Sequence, residues 1–302
     1  MDWPDVSYAS WAETCDTLHA HSQVLGKIAV ALAPPEPQLQ HAALVLTARG
    51  WETGLLPAPD GSGGFVVVLD LRTHETVIEH TAGSTARVAL TPDRSVGAVT
   101  RDVLAQARGI VGDFEIKTAP SEVPWSVPLD EDEEHVRYDV AAVTRYHRAA
   151  AEAALILRAF RAPYRGRSTP VNAWWGSFDL SVSLFSGAEA TPPAEDFITR
   201  NAMDAQEVAV GWWPGDPRHE RAAFYAYAHP AVDGFAELDL PAGGWNAQLG
   251  EFVLDWDDAR AAPDPHGVAL DFAQRVFRHG CAVCGWSPAL AASADGTPPP
   301  VR

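Results

Sequence analysis

The sequence predicts an α+β protein with antiparallel sheets packed against helices, on three observations. Long segments with apolar residues at three-to-four spacing alternate with short runs that repeat every second residue. The pieces between those runs are brief and rich in turn residues, too brief for helical crossovers, which argues against a parallel sheet. The order helix, several strands, helix occurs twice, so two similar α-β-α halves are expected, although no residue-level repeat accompanies them. The boundaries fall at residues 1–117 for an N-terminal α+β half, 118–138 for an acidic, proline-rich connection, 139–286 for a C-terminal α+β half and 287–302 for a disordered tail.

From Ser7 to about Ala33, Trp11, Cys15, Leu18, Leu25, Ile28 and Leu32 form one apolar helical stripe, which PPEP at Pro34 to Pro37 ends. The runs HAALVLTA (His41 to Ala48), FVVVLDL (Phe65 to Leu71), TVIEHT (Thr76 to Thr81) and TARVAL (Thr85 to Leu90) read as strands. Ser95 is placed to cap a helix through about Val111, and Asp139 one that reaches Phe160. WWGSFDLSVSLFSG, Trp174 to Gly187, reads as a strand with Trp174, Phe178, Leu180, Val182 and Leu184 on one face and Ser177, Asp179, Ser181 and Ser183 on the other. A helical segment around Asp196 to Val210 follows, then strands at Phe224 to His229 and Gly250 to Trp256 and a last helix from about His266 to Cys281.

The 302 residues carry 22 basic and 40 acidic side chains, a formal net charge of −18. Such a field repels a phosphate backbone or an anionic membrane, so neither nucleic acid nor membrane is an expected partner. No apolar run approaches the roughly 18 residues of a membrane span, and the start MDWPDVSYASW lacks the basic-then-apolar order of a secretory signal. Three cysteines, Cys15 and the pair Cys281 and Cys284, do not make a disulfide framework; a reducing cytoplasm is expected.

The sequence holds no G-x-G-x-x-G opening a helix, no G-x-x-x-x-G-K-[ST], no H-E-x-x-H and no G-x-S-x-G. HGCAVCGW invites a metal, but structural zinc takes four ligands, usually from two clusters, and there is no second cysteine pair. No metal and no cofactor are expected.

Three weaker constellations remain. His19, Gln23 and Lys27 follow one another at i, i+4 and i+8 along one flank of the first helix, either a solvated face or one wall of a pocket. Tyr225, Tyr227 and His229 share a strand face opposite Phe224, Ala226 and Ala228, suiting either a wet sheet surface or a ligand wall. Asp179 lies among small serines on its own face; roofed by protein it would be desolvated toward a useful general base. Glu207, close to Trp212 and Trp213, is a second carboxylate in apolar aromatic surroundings.

With these residues in view, the chain resembles a bacterial family of unknown function, domain-of-unknown-function family 5996. The likeness rests on TLHAHSQVLGK (Thr17 to Lys27), LTARG, LDEDEEHVRYD (Leu129 to Asp139), WWGSFDLSVSLFSG, EVAVGWWPG (Glu207 to Gly215), FYAYAHPAVDGF and LGEFVLDW, nearly the whole chain. The family pattern carries a His before the glutamate and Arg on either side of the FSG, where this chain has Gln206, Leu184 and Ala188. The resemblance implies a shared fold and a pocket, in a divergent member of specialised metabolism.

The resulting expectation is a small-molecule enzyme or enzyme subunit using metal-free acid/base chemistry, such as intramolecular ring closure or elimination. Asp179, Glu207, Lys27 and His19 would be catalytic; Gln23, Trp174, Ser177, Ser181, Tyr225, Tyr227 and Trp212 would bind the substrate. The alternative is a non-catalytic ligand-binding or partner subunit, in a homo- or hetero-oligomer with a related chain.

Overall fold

The computed structural model describes residues 3–293. It contains helices and two antiparallel sheets, the α+β class expected, divided between two compact units. The amino-terminal unit comprises Val6–Ala151 and Asn172–Asp179; the carboxy-terminal unit comprises residues 3–5, Glu152–Val171 and 180–293.

In the amino-terminal unit, α1 (Ala12–Leu32) ends where Ala33 turns extended before the prolines. Strands β1 (Val45–Leu46), β2 (Gly50–Glu52), β3 (Leu56–Pro57), β4 (Gly64–Asp70), β5 (Glu75–His80) and β6 (Thr85–Ala89) form one sheet in the order β1-β2-β4-β5-β6, with β3 also on β4. The β4/β5 pair sets Val67 opposite Ile78, both fully buried. Helix α2 (Val96–Val111) starts at Ser95, whose hydroxyl accepts from the Ala98 N–H, a side-chain cap satisfying one of the four orphan donors. α1 packs on α2 and β4. It is buried on every side along Thr17–Ala29, polar residues included, so the His19–Gln23–Lys27 flank is not a solvated face.

The expected connection, residues 118–138, carries no helix or strand. It is nonetheless tied down: the Gly97 N–H donates to the Asp132 carbonyl and the Leu129 N–H to the Thr118 carbonyl. Asp139 then accepts from the N–H groups of Ala141 and Ala142, capping α3 (Val140–Arg161) as the sequence predicts.

The strand expected from Trp174 to Gly187 is two strands, β7 (Asn172–Trp174) and β8 (Asp179–Glu189). A turn separates them, with Phe178 at φ +58°, and it breaks the period of two. Phe178 therefore leaves the face of Leu180 and stacks on His19 and Tyr146, with ring centroids 4.9 and 5.2 Å apart. Of His41 to Ala48 only β1 is strand; Pro37–Ala42 form a 3-10 turn.

In the carboxy-terminal unit the strands β8, β9 (Ala205–Trp213), β10 (Ala223–His229), β12 (Glu251–Asp255) and β11 (Gly244–Asn246) lie side by side in that order. The helix expected over Asp196 to Val210 is corrected: α4 covers only Phe197–Ala202, capped by Asp196, and β9 begins three residues later. AQEVAVGWW is buried along nearly its whole length, and an almost continuous apolar run hides a strand's alternation. The short α5 (Trp256–Arg260) leads to α6 (Pro265–Val283), which begins at Asp264 with a side-chain cap and Pro265 at its first position. Phe272, Val276 and Phe277 of α6 are buried, and Gly280 approaches Val208 of β9. α7 (Pro288–Ala292) occupies part of the expected tail; residues 294–302 lie outside the described residues. No helix of the described residues is long and apolar enough to cross a membrane.

Candidate active site

Antiparallel register brings the second group of candidates onto one face of the carboxy-terminal sheet. Across β8, β9 and β10 the rows are Ser181, Gly211 and Tyr225; Ser183, Ala209 and Tyr227; Phe185, Glu207 and His229. Successive side chains alternate faces, so these rows project together while Leu180, Val182, Val208, Val210, Phe224 and Ala226 fill the opposite, apolar face. Gly211 is required here by close approach: a Cβ on it would lie 2.3 Å from the Tyr225 ring. Tyr225 and Tyr227 stand with rings parallel within 3° and centroids 6.3 Å apart.

Glu207 is the chemical centre of this face. It is 4% exposed, and burial pushes its carboxyl up to about 7. Hydrogen bonds from Ser183 and from the Tyr227 hydroxyl, 3.4 Å from Oε1, oppose that shift, as does the positive charge of Arg167; Asp204 reinforces it. Arg167 lies over the Phe185 ring at 3.9 Å, and the Tyr164 hydroxyl donates to the Phe185 carbonyl at 2.5 Å, so the end of the face is braced. His229, next to Glu207 in register, shares its Nε2 proton with the Met203 carbonyl at 3.1 Å and is held below the usual imidazole range by burial.

Trp212 does not belong to this face and is corrected. It lies opposite Leu180 and Phe224 on the apolar side, fully buried, with its ring edge-on to Trp256 at 5.7 Å. Nearness in sequence sets Glu207 beside both tryptophans; in the strand, the odd separation of Glu207 and Trp212 places them on opposite sides. Trp213 takes the Glu207 side and meets Tyr225 edge-on at 5.5 Å.

Six other candidates, His19, Gln23, Lys27, Trp174, Ser177 and Asp179, belong to the amino-terminal unit. His19 Nε2 lies 2.9 and 3.0 Å from the Trp175 and Gly176 carbonyls, so that nitrogen carries the proton and donates. Burial holds the ring near 4, hence neutral, and its one proton is spent holding the turn ahead of Asp179. Gln23 pairs with the backbone of Ser121 through both ends of its amide, at 2.8 and 2.9 Å. Lys27 Nζ donates to the Ser121 hydroxyl at 2.9 Å and stands 5.1 Å from the centre of the Trp175 ring. Burial, with help from Lys117, brings its amine down to about 8. Trp175 lies on α1 because residue 26 is glycine: a Cβ there would be 2.0 Å from the indole. Asp179, 6% exposed, accepts from the Ser177 hydroxyl at 2.5 Å, while Ser177 is exposed and Trp174 half-buried at the end of β7.

Ser183, Arg167 and Ser121 act on these groups and were not among the sequence candidates. Ser183 shared the period of Asp179 and Ser181 and could have been found; Arg167 and Ser121 reach their partners through long-range packing that no local spacing marks. No group of three or more His, Cys, Asp or Glu among the described residues is arranged to hold a metal ion. No disulfide joins the cysteines, and burial pushes the Cys281 thiol up to about 12, far from a reactive thiolate. A surface cavity of about 330 Å³, lined by Pro241, Ala242, Asp264, Asp271 and Phe272 among others, lies apart from the candidates.

The model of a family of unknown function, DUF5996, matches residues 3–293. The chain belongs to the DUF5996 family. No curated protein and no solved structure matches it significantly. The match takes in Glu207 and its partners as well as the α1 flank, so both clusters of this DUF5996 member lie inside the family's extent.

Proposed function

We propose that this DUF5996 protein is a small-molecule enzyme, working in specialised metabolism, whose acid/base step runs on Glu207. The observation that carries the reading is a buried carboxyl brought to about 7 on a sheet face that also presents two tyrosines and two serines. A group that titrates near neutral pH takes a proton and gives it back with little penalty in either direction.

In a ring closure, ionised Glu207 removes the proton from a nucleophilic N–H or O–H as that atom attacks a carbon of the same molecule. The proton then passes from the Glu207 carboxylic acid to the departing or newly charged atom. In an elimination, the proton comes from carbon and the leaving group takes the bonding electrons. The Tyr227 hydroxyl and Ser183 hold the carboxylate oriented, and the parallel tyrosine rings supply an apolar wall with polar tips. The amino-terminal unit holds its own candidates apart from this reaction, Lys27 with its amine near 8 and the buried carboxylate Asp179. The three cysteines without a disulfide suit a cytoplasmic site of action.

The test is incubation of the wild type and Glu207→Gln with small-molecule extracts, followed by untargeted mass spectrometry. The reading expects a product isomeric with its precursor, or lighter by a small neutral fragment, formed by the wild type alone. Equal turnover by both proteins overturns the Glu207 assignment. Retention of a ligand by both without conversion favours a binding subunit.

A further inference from the structure

One titratable pair lies outside the site described, in the stretch LDEDEEHVRYD that the sequence presents as an acidic surface run. Asp132, 2% exposed, accepts the backbone N–H groups of Glu134 and His135 on Oδ1, at 2.9 and 3.0 Å. Its Oδ2 lies 2.7 Å from His135 Nδ1. A carboxylate that short of the ring nitrogen fixes the tautomer: the proton sits on Nδ1, and the Nε2 lone pair is left outward. The loop is clamped on both sides, since the Val96 N–H donates to the His135 carbonyl and the Gly97 N–H to the Asp132 carbonyl. No hydrogen-bond partner for His135 Nε2 occurs among the described residues, and the side chain keeps 17% exposure. The Trp125 indole stands 4.4 Å from the imidazole, centre to centre, and forms a wall beside it. From α1, Asp16, His19 and His21 lie within electrostatic reach.

We propose that Asp132 and His135 form a second reactive centre, on the amino-terminal unit, in which His135 Nε2 is the nucleophile and base toward small acyl compounds seated beside Trp125. The carboxylate holds the ring in one tautomer and offsets the positive charge that grows on it as Nε2 bonds to carbon. In acylation the Nε2 lone pair attacks the acyl carbon, the carbon–oxygen bond to the leaving group breaks, and the leaving group departs with that electron pair. The Nδ1 proton, shared with Asp132 meanwhile, is released to water as the neutral acyl-imidazole forms. His135 is the reacting group and Asp132 its positioning residue.

Diethyl pyrocarbonate is the probe, with peptide-resolved mass spectrometry as readout. Free N-acetylhistidine in the same reaction is the rate reference, because the Nε2 of His266, a side chain 48% exposed, lies 3.1 Å from Glu152. His135 is expected to be carbethoxylated faster than the free imidazole despite its partial burial, and Asp132→Asn to slow His135 by about tenfold or more while leaving His266 unchanged. Labelling of His135 slower than the free imidazole, or unchanged by Asp132→Asn, overturns the proposal. A second measurement needs no variant: the imidazole nitrogen spectrum of the wild type should place the proton of the neutral His135 ring on Nδ1, and the opposite tautomer would overturn the assignment. Neither readout depends on Glu207, so this centre and the proposed reaction stand or fall separately.

Discussion

Glu207→Gln should stabilise the protein at alkaline pH while removing its proposed activity. In the folded chain the carboxyl titrates at about 7 against an ordinary 4.5. Between those values the unfolded chain has lost the proton and the folded chain keeps it, so the contribution of Glu207 to stability falls as pH rises and is at its most unfavourable above 7. At about 1.4 kcal/mol per pH unit the full penalty is about 3 kcal/mol. Glutamine fills the same volume, carries no charge to desolvate, and its Oε1 still accepts from the Tyr227 hydroxyl. Urea denaturation followed by tryptophan fluorescence, at pH 5 and pH 8, measures the difference. The variant is expected to exceed the wild type by about 3 kcal/mol at pH 8 and by under about 1 kcal/mol at pH 5. A gap of the same size at both pH values, or a variant weaker at pH 8, would refute the reasoning that burial raises this carboxyl.

The amino-terminal unit should respond to pH with the opposite sign. His19 and His21 are held near 4 by burial against an ordinary 6.5, so the stability from keeping them neutral is present above 6.5 and is lost as pH falls toward 4, by about 3 kcal/mol for each ring. Imidazole nitrogen spectra at pH 5 should show both rings neutral, each with a single N–H; titration of every histidine near 6.5 would contradict this. Gly26→Ala should cost about 3 kcal/mol or more in thermal melts, because its Cβ would overlap the buried Trp175 ring at 2.0 Å, and a cost below about 0.5 kcal/mol would show that Trp175 does not rest on α1. Gly211→Ala, which displaces the half-buried Tyr225 instead, should cost about 1–2 kcal/mol and raise KM more than it lowers kcat, with an unchanged KM counting against Tyr225 as a substrate wall.

Much of the fold was legible because its cues are local. Ser95 and Asp139 announce α2 and α3 by satisfying first-turn N–H groups, and the short β-branched runs FVVVLDL and TVIEHT between turn-rich pieces mark β4 and β5 directly. What escaped was decided at longer range. β9 is buried along nearly its whole length and VAVGWW holds no polar side chain on either face, so its sequence shows no period, and Glu207 and Trp212, near in sequence, stand on opposite faces. The left-handed backbone at Phe178 splits one expected strand in two, and Phe is not a residue that advertises such a conformation. Gln23 and Lys27 were singled out by helical spacing, yet their partner Ser121 lies nearly a hundred residues away in a segment whose prolines and acids suggest only a solvated link. The Asp132–His135 pair was hidden in the same way, inside a run of like charges.

The central claim is that the sheet of the carboxy-terminal unit carries a carboxyl poised for proton transfer at neutral pH. A carbon-13 titration of the glutamate side-chain carboxyls, with Glu207→Gln supplying the assignment, measures this without knowledge of the substrate. The resonance lost in the variant should titrate near 7; a midpoint close to 4.5 would contradict the account.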